Sequence, residues 1–359
     1  MTTLEKTVGE NQASAKSENL AHKLQNQLAE KMMGTFDLVL SDRKKYYSEH
    51  TDKVPSPSAI PAIIDSYATM NMAVSGSINL IPGPWGMAAA IPEIVILIRN
   101  QLAMIYDIGV AYGKSKVLNK ELLAGVFLSA MGVSAGGLLV MHGGKVFVRR
   151  AALRVFQKAI TLLAGKVTHQ MLKSLVSKWL PFIGAAAMAA WSNYSTRQIG
   201  NKAVEILAKP IEVIDGESDD ESIIADVAQT QSPATIEVAP IFTTLKIKTL
   251  INLMKVDKKI KPEERGYIEL LIENSDLDDE TKIELVNSMD VEANTHIDFA
   301  PFANEPDEMI GLLMDLIGLA KRDGEFHLAE KIYIKQAGKL MGLSGGDIEE
   351  AMAMELMVA

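Results

Sequence analysis

No cysteine occurs in the 359 residues. That excludes disulfides, thiolate metal sites and a cysteine nucleophile, without identifying a compartment. Catalytic signatures are missing as well. There is no phosphate-binding glycine loop, no serine-nucleophile motif, no HExxH and no pair of carboxylates in a credible cleft. Gly136-Gly137 and Gly143-Gly144 lack the flanking strand that a nucleotide loop requires, so no enzyme is expected. Aromatic residues make up only 6%, and the basic side chains are interleaved with Leu, Val and Ala. Nucleic acid, which needs stacking groups beside its cations, is therefore not an expected partner. The first segment, MTTLEKTVGENQASAKSEN, has no apolar core behind a basic end. It does not read as a secretory signal, and residence in the cytosol or on the cytosolic side of a membrane is the expectation.

Charge is absent from long stretches, and where it occurs its sign is uneven. No charged side chain lies between Ser66 and Pro92, a stretch that includes the turn Ile81-Pro82-Gly83-Pro84-Trp85-Gly86. Leu122 to Met141 is a second charge-free run, 20 residues long and rich in Gly and Ser. Its length suits a membrane span or a buried hairpin, and its small residues permit close helix approach. Between Ile108 and Val204 there are 13 basic residues and one acid, Glu121, whereas residues 241–359 carry 13 basic and 24 acidic ones. A basic, apolar middle beside an acidic end predicts either an anionic lipid membrane as partner or mutual docking of the two halves. The acidic C-terminal region is the surface expected to meet a protein partner.

Taken in order, residues 1–17 are polar enough to predict a disordered tail. Residues 18–54 form an amphipathic helical arm, with Leu20, Leu24, Leu28 and Met32 on one face. That face serves either a membrane surface or the main domain. A long apolar helix is predicted from Pro92 to Tyr112, with Pro92 in its first turn and Gly113 at its stop. Glu93, Asn100, Asp107 and Lys114 recur along it every seven residues and share one thin stripe. The stripe faces either water or a bundle interior, where its acids need basic partners. From Lys145 to Lys178 the pattern is that of a basic helix, with Arg150, Arg154 and Lys158 on one side. The second turn, Trp179-Leu180-Pro181-Phe182-Ile183-Gly184, echoes the first. Seven acids between Glu212 and Asp226, with no base, predict a solvated linker over 210–240.

The set LIPGPWGM, Pro92-Glu93, Gln101, Met104-Ile105-Tyr106, Tyr112-Gly113, LPFIGA, Asn193 and Ile199-Gly200 resembles the EcsC-like family and the related YcjF-type membrane-associated domain. The likeness spans about residues 60–207, within a predicted domain of residues 55–209. It implies an all-helical membrane-associated domain of bacteria, and no catalytic residues.

Residues 241–359 read as a second helical domain with an internal duplication. Asp257-Lys258-Lys259-Ile260-Lys261-Pro262-Glu263-Glu264 and Asp323-Gly324-Glu325-Phe326-His327-Leu328-Ala329-Glu330 occupy matching places between apolar-periodic segments. This doubled pattern resembles the TerB-like, tellurite-resistance domain. The resemblance implies divalent-cation binding, calcium for example, by acids at these turns. It carries over to Asp257 and Glu264 in the first turn and to Asp323 and Glu330 in the second. Lys258 departs from the glycine of that pattern, and Lys259 beside it adds a second competing ammonium. The residues themselves permit another reading, in which Asp caps the new helix and Glu favours its first turn through the helix dipole. His327 is expected at the surface, and the methionines from Met341 to Met357 in the core or on a soft partner surface.

The expected fold class is all-α: an apolar helical-hairpin bundle joined by an acidic linker to a TerB-like helical bundle. The expected function is that of a non-enzymatic protein on the cytoplasmic side of the bacterial inner membrane, peripheral or partly inserted. Its TerB-like domain would serve as a cation- or partner-binding module in a stress or envelope-related role. A soluble scaffold, with the acidic domain covering the basic one, and a membrane-perturbing effector are the alternatives.

Overall fold

A computed structural model describes residues 3–76, 84–132, 138–176, 184–218, 235–322 and 324–354. The described residues form twelve α-helices and one three-stranded sheet, so the molecule is mostly all-α. They fall into two compact units: residues 1–176 with 192–232, and residues 177–191 with 233–359.

In the first unit, α1 (Thr3–Glu49) is one long helix that continues through the segment expected to be a disordered tail. Its apolar face is the one predicted, and it lies inward. Leu24, Leu28, Met32, Phe36 and Val39 are buried, and α1 packs on α3 (Pro84–Ala111) and α5 (Leu153–Val176). Phe36 meets Phe156 of α5 edge to face, with ring centroids 5.7 Å apart. Of the two uses foreseen for this face, packing on the main domain is the one observed.

The long apolar helix is α3, and it begins earlier than expected, so that Pro92 lies inside it. Gly113 ends it as foreseen, in the left-handed conformation at φ 72°. There Gly113 N donates to Val110 O and Lys114 N to Gly109 O. The polar stripe of α3 faces the interior. Asp107 is buried and accepts from Arg43 Nε of α1 at 2.7 Å and from the Tyr67 hydroxyl of α2 (Ile60–Gly76) at 2.9 Å. Arg43 reaches on to the Tyr47 hydroxyl at 3.0 Å. Desolvation holds the Asp107 carboxyl above its ordinary value despite the guanidinium beside it. About two turns earlier on α3, the pairing runs between α2, α3 and α6 (Gly184–Leu207). Asn100 donates to Asn71 Oδ1 at 2.8 Å, Asn71 to Thr196 Oγ1 at 2.9 Å, and Gln101 to the same hydroxyl at 3.1 Å.

The charge-free run from Leu122 to Met141 is not one helix. The helix α4 (Lys120–Ala130), capped by the Asn119 side chain, ends just before Gly132, whose φ is +67°. The chain then enters β1 (Leu139–His142), which pairs antiparallel with β2 (Lys145–Ala151). Gly143 and Gly144 make the connecting turn at φ 58° and 76°, a pair of positive angles that two glycines adopt without steric penalty. Strands therefore flank this Gly-Gly, contrary to expectation, but in a hairpin and not in a nucleotide loop. The start of the predicted basic helix is a strand for the same reason: Val146 and Val148 alternate into the core. Part of the predicted acidic linker is also ordered. β3 (Ile211–Ser218) lies parallel to β2, with Glu212 bonded to Lys145 at 2.5 Å. The Pro/Gly turns at 77–83 and 177–183 and linker residues 219–234 lie outside the described residues.

The second unit holds α7 (Thr235–Met254), α8 (Pro262–Glu273), α9 (Asp279–Met289), α10 (Pro306–Ala320), α11 (Leu328–Leu340) and α12 (Gly345–Met354). Ile247, Leu250, Ile251, Ile268, Leu285, Leu313, Ile317, Ile334 and Met341 form its core.

The ion pair under α1 yields a test. Arg43→Ala leaves a buried carboxylate with only the neutral Tyr67 and Tyr47 hydroxyls as partners, and should destabilise the first unit by about 3 kcal/mol. The readout is the calorimetric transition of that unit. Removal of Arg99, which meets Asp42 at the surface, should do far less, and equal effects of the two changes would refute the buried-pair account.

Candidate functional site

The duplication in the second unit is exact enough to align by helix ends. α7 ends at Met254 and α10 at Ala320, while α8 begins at Pro262 and α11 at Leu328, a spacing of 66 residues in both cases. The two predicted turns therefore close equivalent helix pairs. Lys255 N bonds Asn252 O, Lys258 N bonds Lys255 O, and Gly324 N bonds Lys321 O in the equivalent place. Lys258 sits at φ 63° and Gly324 at φ 82°. The lysine that departs from the glycine pattern thus adopts the glycine conformation, at a steric disadvantage of about 1 kcal/mol.

The glutamates, not the aspartates, tend the helix starts. Lys261 is the N-cap residue of α8 and His327 that of α11, and neither start is capped by an aspartate. Glu264, three residues into α8, receives the Lys261 backbone N–H, and Glu330 Oε2 receives the His327 N–H at 2.9 Å. This is the back-reaching half of a capping box. Asp257 lies too far upstream of α8 to cap it, and it closes its own turn by accepting from Lys259 N at 2.8 Å. Asp323 lies outside the described residues.

Both glutamates are buried, at 3% and 4% exposure. Burial is the main reason that both carboxyls stand above their ordinary value. A second cause is shared: Glu330 is pushed up further by Glu264 and Asp257, and Glu264 by Asp257. The fold has therefore brought three of the four predicted acids, from two turns, within electrostatic reach. It also ties the turns together through Lys261 and Glu325, 3.8 Å apart. His327 Nε2 is 3.1 Å from Glu325 Oε2 of its own turn, and this histidine is half-buried, not simply a surface side chain. Among the described residues, no group of three or more His, Asp or Glu side chains is placed to hold a metal ion. Hard oxygen donors are the right chemistry for a cation such as calcium, but each buried glutamate is already engaged with a backbone N–H.

Sequence reasoning missed a pair of lysines. Lys255 is buried and donates to the carbonyl of Ser288 at 2.7 Å, in the last turn of α9, and to that of Val291 at 2.9 Å, just beyond it. Lys321, its repeat equivalent, donates to Met352 O of α12 at 2.9 Å. Each lysine fixes the third helix of its repeat by satisfying carbonyls at a helix end. The available signal was the recurrence of Lys two residues before each Asp.

The left-handed position gives a prediction. Lys258→Gly should stabilise the second unit by about 1 kcal/mol, and Gly324→Ala should weaken it by a similar amount. Chemical denaturation followed on that unit reads both. A neutral Gly324→Ala would show that the turn does not need this conformation.

No curated protein and no solved structure matches the chain. The likeness of residues 60–207 to the EcsC-like family rests on its sequence motifs alone. For the helical repeat the comparison is positive: residues 245–353 match the family of the tellurite resistance protein TerB.

Proposed function

We propose that the chain is a non-enzymatic, membrane-associated protein that binds an anionic lipid surface peripherally through its first unit. In this reading its TerB-like unit serves as a cation- or partner-binding module in a stress or envelope-related role. The observation that carries the lipid reading is the junction of β2 and α5. Arg149, Arg150, Arg154 and Lys158 are all exposed there, and Leu153 among them is 59% exposed. A basic face with a protruding leucine suits a headgroup layer, at about 1 kcal/mol per basic residue before screening.

Peripheral binding is favoured over spanning by the fate of α3. Residues Ala90–Ala111 are long and apolar enough to cross a bilayer, but 72% of that window is buried inside the protein. Asp107, Asn100 and Gln101 on it, moreover, are paired with α1, α2 and α6. The apolar surface that suggested a bilayer is thus used largely for internal packing. What supports the module reading is the burial of Glu264 and Glu330 in mutual repulsion, which a neighbouring cation would relieve.

Sedimentation of the full chain with vesicles tests the first part. Binding is expected with mixed phosphatidylcholine and phosphatidylglycerol, with little binding to phosphatidylcholine alone and loss at high salt. The double change Arg149→Glu with Arg154→Glu should abolish it. Absence of low-salt binding to anionic vesicles would eliminate the lipid reading and favour the soluble scaffold. For the second part, calcium is expected to raise the melting temperature of the TerB-like unit, and Asp323→Ala to remove that rise. A melting curve unmoved by millimolar calcium disposes of the idea.

A further inference from the structure

Among the described residues, the first unit contains three buried polar atoms that have no hydrogen-bond partner: Ser75 Oγ, Glu93 Oε2 and Ser192 Oγ. Ser75 is 0% exposed and Ser192 1%. They lie on three different helices, α2, α3 and α6, and the helix register brings them to one level. α2 and α3 run antiparallel, since Tyr67 meets Asp107 and Asn71 meets Asn100. α2 and α6 are antiparallel too, because Asp65 meets Arg197 while Met72 meets Asn193. Asn71, Leu97 and Thr196 are joined by the Asn71 amide, which donates to Leu97 O and Thr196 Oγ1. One helical turn further along, in the direction common to all three, stand Ser75, Glu93 and Ser192.

A buried oxygen without a protein partner calls for an occupant, an ordered water or an ion, since leaving one unpaired carries a penalty of about 1–3 kcal/mol. Three on one level point to a single occupant. Nearby amides do not serve, because Asn71, Asn100 and Gln101 are engaged with each other, with Leu97 O and with Thr196. The neighbouring cations are engaged as well. Arg99 pairs with Asp42 at 3.0 Å, and Arg197 with Asp65 and Asn193. Glu93 therefore has no ion pair among the described residues.

We propose that these atoms bind a dehydrated monovalent metal cation of the sodium or potassium class. Glu93 Oε2 is the charged ligand, and the Ser75 and Ser192 hydroxyl oxygens are neutral ones. The charge count selects the valence. One carboxylate balances one positive charge, whereas calcium sites gather several carboxylates around the ion. All three donors are hard oxygens, which excludes soft metals. The site is separate from the acidic turns of the TerB-like unit and does not rest on their reading.

The test uses the full chain, melted in sodium, potassium and choline chloride at matched ionic strength. Choline is too large to enter. Sodium or potassium is expected to raise the transition of the first unit by about 2–4 °C over choline, and the better ion identifies the selectivity. Glu93→Gln, which keeps the shape and removes the charge, should erase the difference, and Ser192→Ala should reduce it. Should Glu93→Gln fail to fold, broadening of the ²³Na resonance by the unaltered chain, reversed by potassium, carries the same information. Identical melting in the three salts with no broadening would mean that water fills the site and would overturn the proposal. So would a sodium effect that survives in Glu93→Gln.

Discussion

A polar group taken out of water must be given a partner inside the protein, and this constraint organises both units. In the first unit most contact surfaces are apolar, so the buried carboxylate of Asp107 weighs heavily on how three helices fit. Asp107 can lie at its depth because Arg43 of α1 and Tyr67 of α2 both reach it. Dispersion and apolar burial hold α1 down along Leu24, Leu28, Met32, Phe36 and Val39, but such a surface tolerates sliding. The ion pair does not. It fixes the register of α1 against α3 where an all-apolar contact would leave neighbouring registers close in energy, a use of buried charge better founded than any gain in stability.

The second unit meets the same constraint by repetition. Its helix starts have N–H groups with no partner in their own helix, and the chain answers twice with a glutamate three residues in. Its helix ends have spare carbonyls, and the chain answers twice with a lysine, Lys255 and Lys321. Buried carboxylates at helix starts and lysine ammonium groups at helix ends thus recur in each repeat. Their charges are matched to the dipoles of the helices they touch. That the carboxyls of Glu264 and Glu330 still sit above their ordinary values means that the backbone contacts do not fully replace lost hydration.

The parts of this architecture that could be read from the chain are those whose signal is local and periodic. The inward face of α1, the heptad stripe of α3, the stop at Gly113 and the doubled turns of the second unit all fall in that class. The sheet was hidden because two signals overlapped. Val148, Ala152, Val155 and Ala159 recur at helical spacing, yet Val146 and Val148 also alternate, and the helix begins only at Leu153. Gly143-Gly144 was the deciding feature, as a two-glycine link between alternating segments is a hairpin signal. β3 was masked by composition. The acids of residues 212–217 suggest a solvated linker, but a strand at a sheet edge leaves Glu212 exposed and needs only Ile211 and Val213 for pairing opposite Val146 and Val148. At the acidic turns, the sequence suggested that Asp would cap, whereas the distance to the helix start assigns that work to Glu.

Glu93 was legible as a residue that needs a partner, though not as one left without any. Its stripe-mates find theirs on helices 29 and 64 residues away in the chain, at positions such as Asn71 and Arg43 that no local pattern marks. The contrast with the second unit explains why a cation is better argued for Glu93 than for the turns. Glu264 and Glu330 each already receive a backbone N–H, so part of their negative charge is met before any ion arrives. Glu93 Oε2 has no hydrogen-bond partner among the described residues, and a carboxylate oxygen shielded from water attracts a cation with little screening. The same sparseness of charge that makes the first unit look like a membrane segment is therefore what would make one unpaired carboxylate there a strong and selective ligand.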